Sequence, residues 1–196
     1  MNKDDLSKYV PYYLTESQKN GLKQELTNFM SNQDIDYYIS KYEDELLQGD
    51  GWAGLEVIDF SKLNKIPVKG IILSNSCDID AQNARDTELR VTFAPLVKLS
   101  NYEKRFQESG LSQDRIDAKI DAIKSQSVTS IFYLPKNAEL GEDHIARLDD
   151  LHSIPNSLLE KESLQSKIFT LSMVGFYLFT FKLSIHFCRL QEQVSR

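Results

Sequence analysis

Between Gly49 and Leu99 the apolar residues arrive in short runs closed by turn formers, and this limits the fold more than any other feature of the chain. Leu55 to Phe60, Val68 to Ser74 and Leu89 to Leu99 are rich in Val, Ile, Leu and Phe, with Asn64, Asn75 and Asp86 in or beside the gaps. Such runs form strands, because β-branched and aromatic side chains pack well on a pleated surface while Asn, Asp and Gly supply the turns. The run Gly70 to Ser74, GIILS, is nearly all apolar, as in a strand covered on both faces. Val128 to Leu134, stopped by Pro135, and His144 to Leu148 read as further strands. Ser163 to Leu171 fits either a last strand or the start of a final helix.

On either side of these runs the period lengthens. Residues 15–47 read as helix: Thr15 and Gln18 form a capping-box pattern, and Leu22, Leu26, Phe29 and Met30 fall at helical spacing. Gln33 to Leu47 continues it with Ile35, Tyr38, Ile39, Tyr42 and Leu46 on one face. Tyr102 to Gln126 interleaves Leu111, Ile116, Ile120 and Ile123 with charge, as in a helical insertion exposed along one side. Residues 172–193 place Phe176, Phe179, Leu183, Phe187 and Leu190 at steps of three or four, predicting a terminal aromatic helix. Strands segregated from helices indicate the α+β class. The chain divides into an N-terminal helical segment, 1–47, and a sheet domain, 48–196, that contains the insertion (102–126) and the terminal helix. With 196 residues, 41% of them hydrophobic, it can bury one sizeable core.

The net charge of −6 argues against broad attraction to phosphate, since nucleic-acid binding draws on clustered Lys and Arg. The two cysteines, Cys77 and Cys188, form no CxxC, and MNKDDLSKYV lacks the layout of a secretory signal, so the reducing cytoplasm is the expected compartment. No cofactor and no metal are expected. Leu171 to Cys188 approaches the length of a membrane span, yet it holds Lys182, His186 and three hydroxyls, which lipid would accept only at a cost of a few kcal/mol. A core helix is the expectation, with peripheral membrane attachment through it as an alternative that requires flanking basic residues; Lys167, Lys182 and Arg189 supply few.

The order of the segments resembles the small, Src-homology-3-like barrel of the MazF/PemK family of bacterial toxin–antitoxin ribonucleases. LLQGDGWAGLEVIDF is similar to the family's Gly-Asp entry into its first strand. IPVKGIILSNSCDID resembles its buried strand ending in Ser-Asn, and RVTFAPLVKL its strand into Ala-Pro-Leu/Ile. ARLDDLHSIPNSLL and TLSMVGFYLF resemble its later connection and closing helix. These pieces cover residues 46–99 and 129–190. The resemblance implies a small antiparallel β-barrel, with a groove that takes RNA or an antitoxin peptide, and a homodimer formed through the barrel unless the insertion covers that surface.

The same alignment implies loss of the chemistry. The family's catalytic Arg position falls on Val68, with Lys69 beside it, and its catalytic Thr or Ser position falls on Val97. Lys69 lacks the planar fork with which an arginine clamps phosphate. The expected function is therefore a catalytically silent barrel that binds a protein, in a bacterial defence or toxin–antitoxin setting. The alternative is an endoribonuclease with a displaced site using Lys69 with Arg85 or Arg90. RNA ranks behind a protein as partner, and DNA is not expected.

The remaining chemistry-bearing residues cluster after the GIILS run. Cys77 is a candidate nucleophile, and Asp78 and Asp80 are candidates around a cation, because loops that leave strands commonly carry sites; the structural reading is a small residue followed by Asx turns. A thiol needs a histidine. Of His144, His152 and His186, His152 lies in the connection nearest the implied groove, so Cys77, His152 and Asp150 can be written as a triad, while His186 reads as a packed helix residue. Asp149 and Asp150 are a second carboxylate pair, of which only one could share an ion if they sit on a strand. Trp52, between glycines, is a candidate anchor for a partner or a lid on the core. Trp52, Asn75, Cys77, Asp78, Asp80 and His152 are thus the expected binding residues.

Overall fold

A computed structural model describes residues 37–80, 82, 86–159 and 166–187. The readings of residues 15–36 and of the end of the terminal helix lie outside these, as do Arg85 and Cys188. The described elements are β1 (Tyr38–Ile39), β2 (Gly51–Asp59), β3 (Asn64–Ile72), α1 (Ser76–Ile79), β4 (Arg90–Lys98), α2 (Leu99–Glu108), α3 (Gln113–Lys124), β5 (Ile131–Leu134), β6 (His144–Arg147), β7 (His152–Pro155), a 3-10 turn (Asn156–Leu158), β8 (Ser166–Leu171) and α4 (Met173–Phe187). The α+β class holds. The strands form one eight-stranded sheet in the order β1-β8-β2-β3-β4-β6-β5, with β7 also on β4, and every pairing is antiparallel.

The sheet is not closed into a barrel, which corrects the expectation drawn from the resemblance. Its terminal strands, β1 and β5, share no ladder among the described residues. β1 has only two residues and β5 stops at Pro135, which has no N–H to donate. The two ends still meet: the Tyr38 hydroxyl donates to the Pro135 carbonyl at 2.6 Å.

A second correction concerns residues 37–47, expected as helix. Tyr38 and Ile39 pair with Leu171 and Thr170 of β8, and Tyr42 turns the chain with φ of 61°. Tertiary pairing overrode a helical spacing that its own sequence supports. Ser166–Leu171, ambiguous in sequence, is the strand β8, and His152–Pro155, read as connection, is β7. β6 and β7 lie end to end along β4, with Leu96 opposite Ala146 and Phe93 opposite His152, so 147–151 bulges between them.

The main core lies between the sheet and α4. Phe132 and Phe179 are fully buried with ring centroids 5.1 Å apart, and Phe169 packs with them. The buried stripe of α4 is Val174, Gly175, Leu178, Phe179 and Lys182, rotated from the aromatic stripe read in sequence; Phe187 is exposed. A Cβ on Gly175 would lie 2.6 Å from the Tyr37 carbonyl, so glycine lets α4 approach β1. Leu55, Ile72, Val91, Phe93 and Ile154 form a second core. The insertion is two helices, α2 and α3, seated through Leu99 and Ile123 on Ile131 and Ile145. Among the described residues no helix is long and apolar enough to cross a membrane.

Candidate functional site: an acidic cleft beside Trp52

The entry to β2 is built around a buried carboxylate. Gly49, at φ of 88°, turns the chain so that its N–H reaches the Ile72 carbonyl at 2.8 Å, and the Asp50 carbonyl takes the Ile72 N–H at 2.9 Å. Asp50 Oδ2 accepts from the Leu47 amide at 2.8 Å and from Lys167 Nζ at 2.7 Å. Its Oδ1 has no hydrogen-bond donor among the described residues. Burial pushes the Asp50 carboxyl up from the usual carboxylate range, while Lys167 and the Leu47 amide pull it back. Gln48 then ties this loop to the far wall, its N–H donating to Ser76 Oγ at 2.9 Å and its side chain to the Leu73 carbonyl at 2.7 Å.

That far wall is α1. Asn75 caps it, Oδ1 accepting from the Cys77 amide at 2.9 Å, and Asp80 Oδ1 closes an Asx turn on the Gln82 amide at 2.8 Å. Between the loop and α1 opens a cleft of about 700 Å³. Asp44, Glu45, Leu46 and Leu47 line one side, Ser76, Cys77, Ile79 and Asp80 the other, and Trp52, Asn156 and Leu159 complete it. The one-residue bulge between Trp52 and Leu55, where β2 gains a residue against β3, sets the direction of Trp52. The Trp52 indole N–H is buried with no acceptor among the described residues.

The sequence-derived candidates separate into two groups. Trp52, Cys77 and Asp80 meet at the cleft; Asn75 and Asp78 are exposed at α1. His152 is elsewhere: its Nε2 lies 3.2 Å from Asp150 Oδ1 and its ring stacks on Phe93 at 5.8 Å. The Asp150–His152 half of the written triad therefore forms, while Cys77 lines the cleft and His152 does not. Asp149 instead pairs with Arg147 at 3.2 Å, which holds its carboxyl below the usual range. No group of three or more His, Cys, Asp or Glu side chains among the described residues could hold a metal.

Neither position matched to the family's catalytic pair lines the cleft. Val68 packs against the second core and Val97 against the third. Lys69 Nζ donates to the Glu139 carbonyl at 3.4 Å, and Arg90 is engaged by Ser153, its Nη2 reaching the carbonyl at 2.7 Å. His144 is buried with Nδ1 2.8 Å from the Glu142 carbonyl; burial lowers its pKa, which favours the neutral ring.

Sequence reasoning missed Asp44, Glu45, Asn156 and Leu159, which reach the cleft from segments read as helix and connection, and the Asp50–Lys167 pair that fixes the loop. The one available signal was the aspartate held between Gly49 and Gly51. No protein-family model matches this chain and no curated protein is significantly similar to it, so the cleft's geometry is what speaks for its use.

Proposed function

We propose that this chain is a protein-binding module, an open and catalytically silent relative of the MazF/PemK barrels, whose cleft takes an extended partner segment with apolar and basic side chains. The observation that carries this is the sign of the lining: Asp44, Glu45 and Asp80 line the cleft, and no described Lys or Arg lines it. A phosphodiester would meet like charge there, whereas a lysine or arginine would gain carboxylates and the face of Trp52 together. The absence of chemistry is supported by the apolar, packed Val68 and Val97 and by a His152 turned to Phe93 and Asp150. A defence or toxin–antitoxin setting follows from the resemblance alone.

Trp52 is the single tryptophan of the chain, so its fluorescence reports on the cleft. Titration with short peptides alternating Leu and Lys is expected to shift its emission in a salt-sensitive way, and Glu45→Lys/Asp80→Lys to abolish the shift. Single-stranded RNA should leave the emission unchanged and should remain intact. RNA cut to uniform ends by the wild-type protein would overturn the reading.

A further inference from the structure

Among the described residues, the two most exposed large apolar side chains lie at the far end of the strand that carries Trp52. β8 holds β2 only at Gly51–Ala53, and β4 holds β3 only at Gly70–Ile72. From Leu55↔Val68 out to Asp59↔Asn64 the two strands continue as a ribbon with no third strand among the described residues. Asp59 Oδ1 closes the tip by accepting from the Ser61 and Lys62 amides at 2.8 and 3.3 Å. Phe60 and Leu63 there are 81% and 83% exposed, and Ile58 and Ile66 are exposed below them. Leu63 sits at φ of 52°, a conformation that costs a non-glycine residue energy. Lys65 is paired with Glu56 at 2.6 Å, but Lys62 has no acidic partner among the described residues.

An ordered turn that holds two large apolar side chains and a free cation in water is a docking surface. Its chemistry is the complement of the cleft, which offers Leu46, Leu47 and Ile79 beside three carboxylates. The tip cannot reach the cleft of its own chain: Trp52 lines the cleft and Asp59 ends the same strand, roughly 20 Å away at the rise of a strand. We propose that the Phe60–Leu63 tip of one copy docks in the Trp52 cleft of a second copy, head to tail. This rests on the cleft being a site for a basic, apolar segment and names that segment. Because tip and cleft are different patches, each contact leaves one of each unused, and the assembly grows with concentration into chains or a ring.

Two variants test it. Phe60→Ser/Leu63→Ser removes the tip at exposed positions, and Glu45→Lys/Asp80→Lys reverses the cleft's charge, both measured by sedimentation velocity across a concentration series. The wild-type protein is expected to rise in mean mass with concentration and each variant to stay monomeric. An equimolar mixture should double the mass and stop there, because one partner supplies a tip and the other a cleft. A wild-type protein that stays monomeric, a mixture that stays monomeric, or a tip variant that assembles like wild type would each overturn the proposal. So would a monomeric protein whose tip instead binds phosphatidylserine vesicles. The Leu/Lys peptide titration of Trp52 in the tip variant, whose cleft is unaltered, separates the two ideas: a shift there beside a wild-type protein that stays monomeric keeps the cleft reading and removes the second copy, and no shift removes both.

Discussion

Among the described residues Lys182 is buried and Lys167 nearly so, and they are treated in opposite ways. Lys167, whose side chain is 11% exposed, meets Asp50 at 2.7 Å, the Tyr42 carbonyl and Thr170 Oγ1. Lys182, in the middle of α4 and 5% exposed, donates to the Gln126 carbonyl and has no carboxylate partner among the described residues. Burial drags the Lys182 ammonium down from 10.5 to about 8. At one site the charge is matched and organises a loop. At the other it pins the turn after α3, where Gln126 sits at φ of 60° and its side chain bridges both backbone groups of Tyr133.

The sharpest way to break the contrast is to unpair Lys167. Asp50→Ala strands its ammonium and the Leu47 amide, and should cost about 3–5 kcal/mol in urea unfolding, with Asp50→Ala/Lys167→Met recovering part of the loss. Lys182 should show itself through pH. Its folded pKa is depressed, so between about 8 and 10.5 the unfolded chain holds more protons than the folded one, and stability rises with pH. The rise should reach about 2 kcal/mol by pH 9.5, at 1.4 kcal/mol per pKa unit. Above pH 10 it should reverse, because burial holds the Tyr38 and Tyr133 hydroxyls protonated beyond their usual range and the folded state then keeps the extra protons. Lys182→Met should gain about 1–2 kcal/mol at neutral pH, since the relief of the buried charge exceeds the cost of orphaning one carbonyl, and should flatten the rise. The smallest effect belongs to exposed Lys62, where Lys62→Met should leave both unfolding and its pH profile unchanged.

The alternation of short strands, the helical character of the insertion and the terminal helix were legible because each is carried by local pattern: GIILS, the charged spacing of 102–126, the aromatics of 172–193. What escaped depends on distant partners. Tyr38 and Ile39 sit at helical spacing, and only Leu171 and Thr170 make them a strand. His152–Pro155 is four residues ending in proline, and only Arg90–Phe93 makes it one. At the cleft, Trp52 and Cys77 stood out by residue type. Asp44, Glu45 and Leu159 did not, since a carboxylate beside a groove and one in water look alike in a sequence. Asp50 was readable as a turn residue because full burial leaves no local trace. Lys182 stood out as an objection to a membrane span, and its place against Gln126 depends on the docking of α4 on the insertion.

The strand order also sets when the molecule can be finished during synthesis. β2 and β3 can zip together as soon as both have left the ribosome, and β4 can join them soon after. The other edge of β2 has no strand to pair with until Phe169 arrives, and Tyr38 waits for Leu171. Pairing across so long a stretch of chain carries a large closure entropy and slows folding. Until Phe169 has been made, then, the outer edge of β2 is open even at its base, and the nascent chain depends on β8, the last of the described strands, to cover Gly51–Ala53.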